Sequence, residues 1–176
     1  DCKTPISSVY PSIELLMGLL SWLLFTKTFS SPLDFDFPHL LAFGIYFAFL
    51  AALVAETFID IRHYIIPDEL SIYLVPFAVL GMGALDHLGY SHALSWQESV
   101  LGAFVGGGSL ALIAFLWWLV RRYEGMGFGD VKLLALIGAV LGPWPALPFV
   151  IVFSAFSAVL VGVPIGYLRG RGLKSA

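Results

Sequence analysis

The 176-residue chain is 59% apolar and 12% charged with a net charge of −3, and its mean hydropathy is +0.91. A soluble domain of this size holds about 45–50% apolar and about 25% charged residues, so lipid must take the place of water over much of this surface. A lone cysteine excludes an internal disulfide and a multi-cysteine metal site, and the absence of any basic patch or aromatic–basic interleaving argues against a nucleic-acid partner.

The chain opens on Asp1 and Cys2 rather than Met, which reads as a chain whose upstream residues are absent. Nothing at this end has the basic, apolar, small-residue plan of a cleavable signal peptide. Roughly 20 apolar residues carry a helix across the hydrocarbon core of a bilayer. Five stretches meet that need, at about 12–29, 38–59, 69–85, 99–120 and 145–168. A sixth, at about 130–142, is apolar but short, with Lys132 near its start. Between them lie Ser30-Ser31-Pro32 with Asp34 and Asp36, the polar stretch 86–97, and Gly142-Pro143-Trp144-Pro145. Such polar or Gly/Pro-rich connections join helical hairpins in a bilayer. No repeat or second soluble domain interrupts the pattern. The expectation is an all-α, polytopic transmembrane bundle of six spans, with residues 1–176 forming one transmembrane domain. A soluble helical protein would have to bury 99–120 and 145–168, which carry no charge on any face; core helices of that kind are rare.

Lys and Arg set the orientation. Six spans put Lys3, Arg62, Arg121, Arg122, Lys132, Arg169, Arg171 and Lys174 on one side and only Lys27 on the other. Positive charge marks the cytoplasmic side, so both termini are expected there. Counting the short sixth stretch as a span is what keeps the C-terminal cluster on that side.

Ionisable groups at membrane depth are costly and usually functional. Most of those here have an interfacial or loop explanation, and His39, His63, His87 and His92 show no ligand-like spacing. Two places resist that account. The first is Asp60-Ile61-Arg62-His63-Tyr64-Ile65-Ile66-Pro67-Asp68. Asp60 ends the second span, with Glu56 one helical turn earlier on the same face. Pro67 stops a continuing helix, and Asp68 is placed to cap the next. The second is Gly125-Met126-Gly127-Phe128-Gly129-Asp130. Glycine there permits unusual backbone conformations or close approach by another segment, and Asp130 falls near a helix N-terminus, where the dipole favours a carboxylate. The thin span that follows rises only about 20 Å against a core of roughly 30 Å, which draws Asp130 toward the lipid. Small residues, Gly102, Gly106, Gly107 and Gly108 in one helix and Gly138 and Gly142 in another, are suited to bringing spans together.

Asp60 and Asp130 come from different spans at the same edge. If they meet across a water-accessible cleft, the two like charges cannot both ionise freely and hold one proton between them. That is the aspartic-protease arrangement, in which the ionised partner takes a proton from water while the neutral one polarises a carbonyl. Nucleophilic catalysis fits less well, because the cysteine is terminal and no serine sits in a glycine elbow beside a base. Lys132 is positioned to tune the pair or to bind substrate, and the sequence does not choose between these roles.

These residues carry a family likeness. The chain resembles the type IV prepilin peptidases, membrane proteases of the Gly-x-Gly-Asp aspartyl class (family A24), in three segments in the family's order: Pro5 to Leu16 with its Tyr10-Pro11-x-x-Glu14 core, Asp60 to Asp68, and Gly127-Phe128-Gly129-Asp130-Val131-Lys132-Leu133. The resemblance implies an endopeptidase of the bacterial inner membrane that removes the basic leader from type IV prepilins and type II secretion pseudopilins on the cytoplasmic side. Asp60 and Asp130 would form the catalytic pair, and Glu56, Asp68, Gly127, Gly129 and Lys132 would support the cleft. Acidic Glu56, Asp68, Glu69 or Glu124 would meet the leader. Many family members also methylate the new N-terminus with S-adenosylmethionine and carry a cytoplasmic loop with two cysteine pairs. Cys2 matches the last of those cysteines, so zinc and S-adenosylmethionine are expectations for a longer protein only, and proteolysis itself needs no cofactor. The expected partners are prepilins, pseudopilins and the lipid bilayer; no feature sets an oligomeric state. The rival reading is a transporter or channel whose edge carboxylates relay protons or cations, which charges at the midplane or inverted repeats would favour.

Overall fold

A computed structural model describes residues 9–31, 34–63, 65–122 and 127–168. Among them are six helices: α1 (Val9–Thr28), α2 (Phe37–His63), α3 (Leu74–His87), α4 (Trp96–Arg121), α5 (Phe128–Leu141) and α6 (Ala146–Leu168). No strand occurs among the described residues. The protein is an all-α membrane bundle. By length and composition α1, α2 and α4 are long and apolar enough to cross a bilayer, while α3 and the Ala146–Gly162 part of α6 are apolar but shorter. Large apolar side chains stand outward, among them Trp22, Phe104, Phe115, Val152, Phe153 and Phe156. In water such a surface would drive aggregation; in lipid it is the solvated face. The Cys2, Tyr64, Glu124, Gly125 and Met126 positions and the C-terminal Arg169, Arg171 and Lys174 lie outside the described residues.

The third expected span is shorter than its apolar run. Residues 68–73 form turns and α3 begins only at Leu74. Pro76 accounts for this: it has no N–H to donate to the carbonyl of Ile72, and its ring crowds that position, so it is tolerated only in a helix's first turn. Asp68 is consequently not the cap of α3. The N-cap is Tyr73, with no side-chain cap bond. At the opposite end of the bundle two caps follow ordinary rules. Asp36 accepts the backbone N–H of His39 at 3.0 Å at the start of α2. Ser95 and Glu98 form a reciprocal capping box on α4, from the Ser-x-x-Glu spacing that signals one.

The centre of the bundle is α5. Its Leu134, Ala135, Leu136, Gly138, Ala139 and Val140 are all buried. Leu136, Ala139 and Val140 join a core with Ala42 and Phe49 of α2, Ala78, Met82 and Leu85 of α3, and Tyr90. Against α4 the approach is closer still. A Cβ built on Gly102 would collide with the carbonyl of Gly138, one on Gly138 with the carbonyl of Gly102, and one on Gly106 with the carbonyl of Leu134. The two backbones are therefore in contact, the geometry that small residues permit between helices in lipid. Gly107 completes the stripe against Ala135, whereas Gly108 faces open space. Ser99 seals the far end of this seam, its Oγ donating at 2.6 Å to the carbonyl of Ala139. That carbonyl belongs to the last turn of α5, where no intrahelical donor exists, and leaving it bare in a dry interior would be costly.

Gly138→Val or Gly102→Leu is expected to abolish the folded state, because the clash is with backbone and no rotamer change relieves it; the cost exceeds the ~1–3 kcal/mol of ordinary overpacking. Gly108→Ala should melt at or above the parent temperature. Thermal denaturation in detergent, followed by circular dichroism, separates the two outcomes, and a stable Gly138→Val protein would refute the backbone contact.

Candidate active site

α2 holds 27 residues and rises about 40 Å, more than the roughly 30 Å hydrocarbon core. Its last turn, with Asp60, Arg62 and His63, therefore emerges at an edge. All three side chains are exposed. α5 starts from the same edge. Its N-cap is Gly127, in an extended conformation, with no side-chain cap bond. Asp130 stands in its first turn, so it is not the cap either.

Asp60 and Asp130, seventy positions apart in the chain, line one cavity of about 370 Å³ together with Ile65, Ile66, Gly127, Gly129 and Lys132. Both carboxylates are open to solvent. They are near enough for the charge on Asp60 to act on Asp130. No described residue gives either one a hydrogen bond, so their oxygens are left for water or a ligand. The cavity is thus polar at its centre, with Ile65 and Ile66 forming one wall. A smaller hollow of about 120 Å³ lies between Ile45, Phe49, Phe77, Leu136 and Val140, and its lining carries no ionisable group.

The glycines divide in their roles. A Cβ at Gly129 would meet Ile66 at 3.0 Å, so glycine there admits the turn that follows α2. Gly127 has φ −68°, a conformation open to any residue, and a Cβ on it would make only an ordinary 4.0 Å contact. Of the two reasons for glycine weighed from the sequence, close approach holds at 129 and unusual backbone at neither described position.

Among the supporting residues, Lys132 lines the cavity and donates from Nζ to Asp68 Oδ1 at 2.5 Å. Asp68 thus faces α5, not the start of α3. Glu69 is exposed. Glu56 is not brought to the cavity. It is 2% exposed, and neither of its carboxyl oxygens has a hydrogen-bond partner among the described residues. Its sequence position, one turn from Asp60, gave no sign of this, because burial depends on the neighbours of α2. Cys2 lies outside the described residues, and within them no three His, Cys, Asp or Glu side chains gather as a metal site would require.

Similarity to known proteins agrees with this geometry. The family model described as the type IV leader peptidase family matches residues 45–163, a range holding both aspartates and the whole cavity. The chain is 38% identical over 173 residues to a prepilin leader peptidase/N-methyltransferase of Burkholderia pseudomallei, covering 97% of this chain and 50% of that protein. It is 34% identical over 169 residues to one of Pseudomonas aeruginosa, at 96% and 53% coverage, and 32% identical over 170 residues to one of Dichelobacter nodosus, at 97% and 54% coverage. The chain spans about half the length of these curated relatives. No solved structure matches it. The chain belongs to the type IV leader peptidase family.

Proposed function

We propose that this chain is the proteolytic part of a membrane aspartyl endopeptidase that removes the basic leader from prepilins and pseudopilins, with Asp60 and Asp130 as its catalytic pair. The observation that carries the reading is the meeting of these two carboxylates, from α2 and α5, in one solvent-open cavity. The names of the relatives, prepilin leader peptidase/N-methyltransferase, support the choice of substrate. The excess of Lys and Arg on the side of the cavity supports a cytoplasmic site in the inner membrane.

The chemistry asks that one carboxyl group of the pair be ionised and the other protonated. The ionised group takes a proton from water as the water oxygen bonds to the scissile carbonyl carbon. The protonated group donates to the carbonyl oxygen, giving a neutral gem-diol intermediate. Collapse breaks the C–N bond: one gem-diol hydroxyl returns its proton to the second aspartate as the carbonyl re-forms, and the departing amine takes up the proton that the first aspartate had accepted. No metal enters any step. Zinc binding and methyl transfer from S-adenosylmethionine are assigned to no described residue. A substrate with a charged leader and an apolar helix suits a polar cavity set at the edge of a lipid-facing bundle: the leader stays in water and the helix in the membrane. Of the acidic residues proposed to meet the leader, Glu69 is exposed, whereas Asp68 is already paired with Lys132 and Glu56 is out of reach.

Asp60→Asn and Asp130→Asn should each lower the cleavage rate at least about a thousandfold, and the double variant scarcely further, because the two act as one unit. Purified protein in detergent with a purified prepilin provides the assay. Full activity in either single variant would remove that aspartate from the mechanism, and proton or cation flux in proteoliposomes that needs Asp130 would instead favour a transporter.

A second expectation concerns the wall of the cavity. Gly129→Val pushes Ile66 outward and should cost about a hundredfold in kcat, the scale of a misplacement near 1 Å. Gly127→Ala should remain within about threefold of the parent, since its surroundings accept a methyl group. Equal sensitivity at the two positions would contradict the packing at Ile66.

A further inference from the structure

The two aspartates stand at the cavity ends of α2 and α5. The core these helices share, Ala42 and Phe49 with Leu136, Ala139 and Val140, lies toward their other ends. Contacts near the cavity are therefore needed to set the gap between Asp60 and Asp130. The segment that follows α2 reaches α5 at two points. Ile66 sits over Gly129, so close that a Cβ there would stand 3.0 Å away. Asp68 Oδ1 accepts a hydrogen bond from Lys132 Nζ at 2.5 Å, with the side chains 48% and 27% exposed respectively. The second contact is anchored on both sides. Asp68 starts a hydrogen-bonded turn, its carbonyl accepting from the N–H of Tyr73 at 3.1 Å, while the hydroxyl of Ser71 donates to the carbonyl of Pro67 at 2.9 Å. Lys132 lies two residues before the buried stretch of α5 that begins at Leu134. Asp68 does not cap α3, and Lys132 makes its ion pair with Asp68, not with Asp60 or Asp130.

We propose that the Asp68–Lys132 ion pair is a clasp that fixes the α2–α3 turn to α5 and thereby sets the spacing of the Asp60 and Asp130 carboxylates across the cavity. Both partners are positioning residues; neither touches the reacting atoms. The inference rests on the catalytic pair named above. The physical logic is that a partly desolvated, charge-assisted bond is stronger and more directional than a neutral one, and a site whose two halves sit at the ends of different helices is held within reacting distance by a cross-link beside it. The same bond holds the ammonium on Asp68.

The test is a double-mutant cycle in the intact protein, with Asp68→Asn, Lys132→Met and the double variant, plus Lys132→Arg. Each single loss should lower kcat about tenfold or more while KM stays within about twofold, and the double variant should be no worse than the poorer single, as for partners in one interaction. Lys132→Arg should keep most of the rate. Hydrogen–deuterium exchange of the 65–73 peptide should speed up alike in Asp68→Asn and Lys132→Met, without a fall in melting temperature. The clasp is overturned by losses that multiply in the double variant, by a rise confined to KM, which would make either residue a substrate contact, by Lys132→Arg falling to the level of Lys132→Met, or by unchanged exchange at 65–73. The exchange measurement needs no substrate. If the parent protein cleaves no prepilin, the proposed function fails while the clasp is still decided.

Discussion

The contact of the α4 and α5 backbones at Gly102, Gly106 and Gly138 constrains everything else at the site. In lipid, apolar side chains gain little by leaving one apolar surroundings for another, so helix association relies on close packing and on interhelical hydrogen bonds. A seam with no Cβ between the backbones maximises the first, and Ser99, donating to the carbonyl of Ala139, supplies the second. The seam fixes the register and depth of α5, a helix of 14 residues that would otherwise be free to slide in a bilayer thicker than itself. Asp130, one turn outside the stretch beginning at Leu134, then stands on a rigid support. Asp60 is held by a different route, through α3 and the turn at Ile66–Asp68.

Charge is handled differently at the two ends of the bundle. At the end opposite the cavity, carboxylates serve the backbone. The backbone N–H of His39, and then its ring, hold Asp36 below the ordinary carboxylate range, and Glu98 closes a capping box with Ser95. Those groups are committed to structure. At the cavity end the carboxylates of Asp60 and Asp130 take no bond from the described backbone and face open space. Arg121 and Arg122 lie over the rings of Trp117 and Trp118 at 5.3 and 5.5 Å, which suits cations held at a membrane surface. Among the described cations Lys132 lines the cavity, and there it is matched by Asp68.

Much of this was legible because lipid leaves strong signatures. Uncharged runs of about 20 residues have few alternatives to spanning helices, and the glycines of 102–107 and 138 were recognisable as contacts between helices. The shortened α3 could have been anticipated from Pro76, since a proline three residues into a helix marks its start. The Ser-x-x-Glu spacing at 95–98 likewise announced a cap that was left among the loop residues. Two roles ran against local expectation. Asp68 has the position of a helix cap, yet its carboxylate is drawn to a lysine 64 positions away. Gly127 belongs to the glycine-rich motif, yet its backbone demands no glycine.

By itself, the sequence determined the all-α membrane class and singled out Asp60 and Asp130 as candidates, because hydropathy and short motifs are local properties that survive without coordinates. Tertiary structure alone decided that Asp60 and Asp130 share a cavity, that Glu56 points into the bundle and away from it, and that Lys132 is spoken for by Asp68. Each of those facts depends on which helices lie side by side and at what depth. In a membrane that is settled by close packing between surfaces distant in the chain, for which no stretch of sequence carries the information on its own.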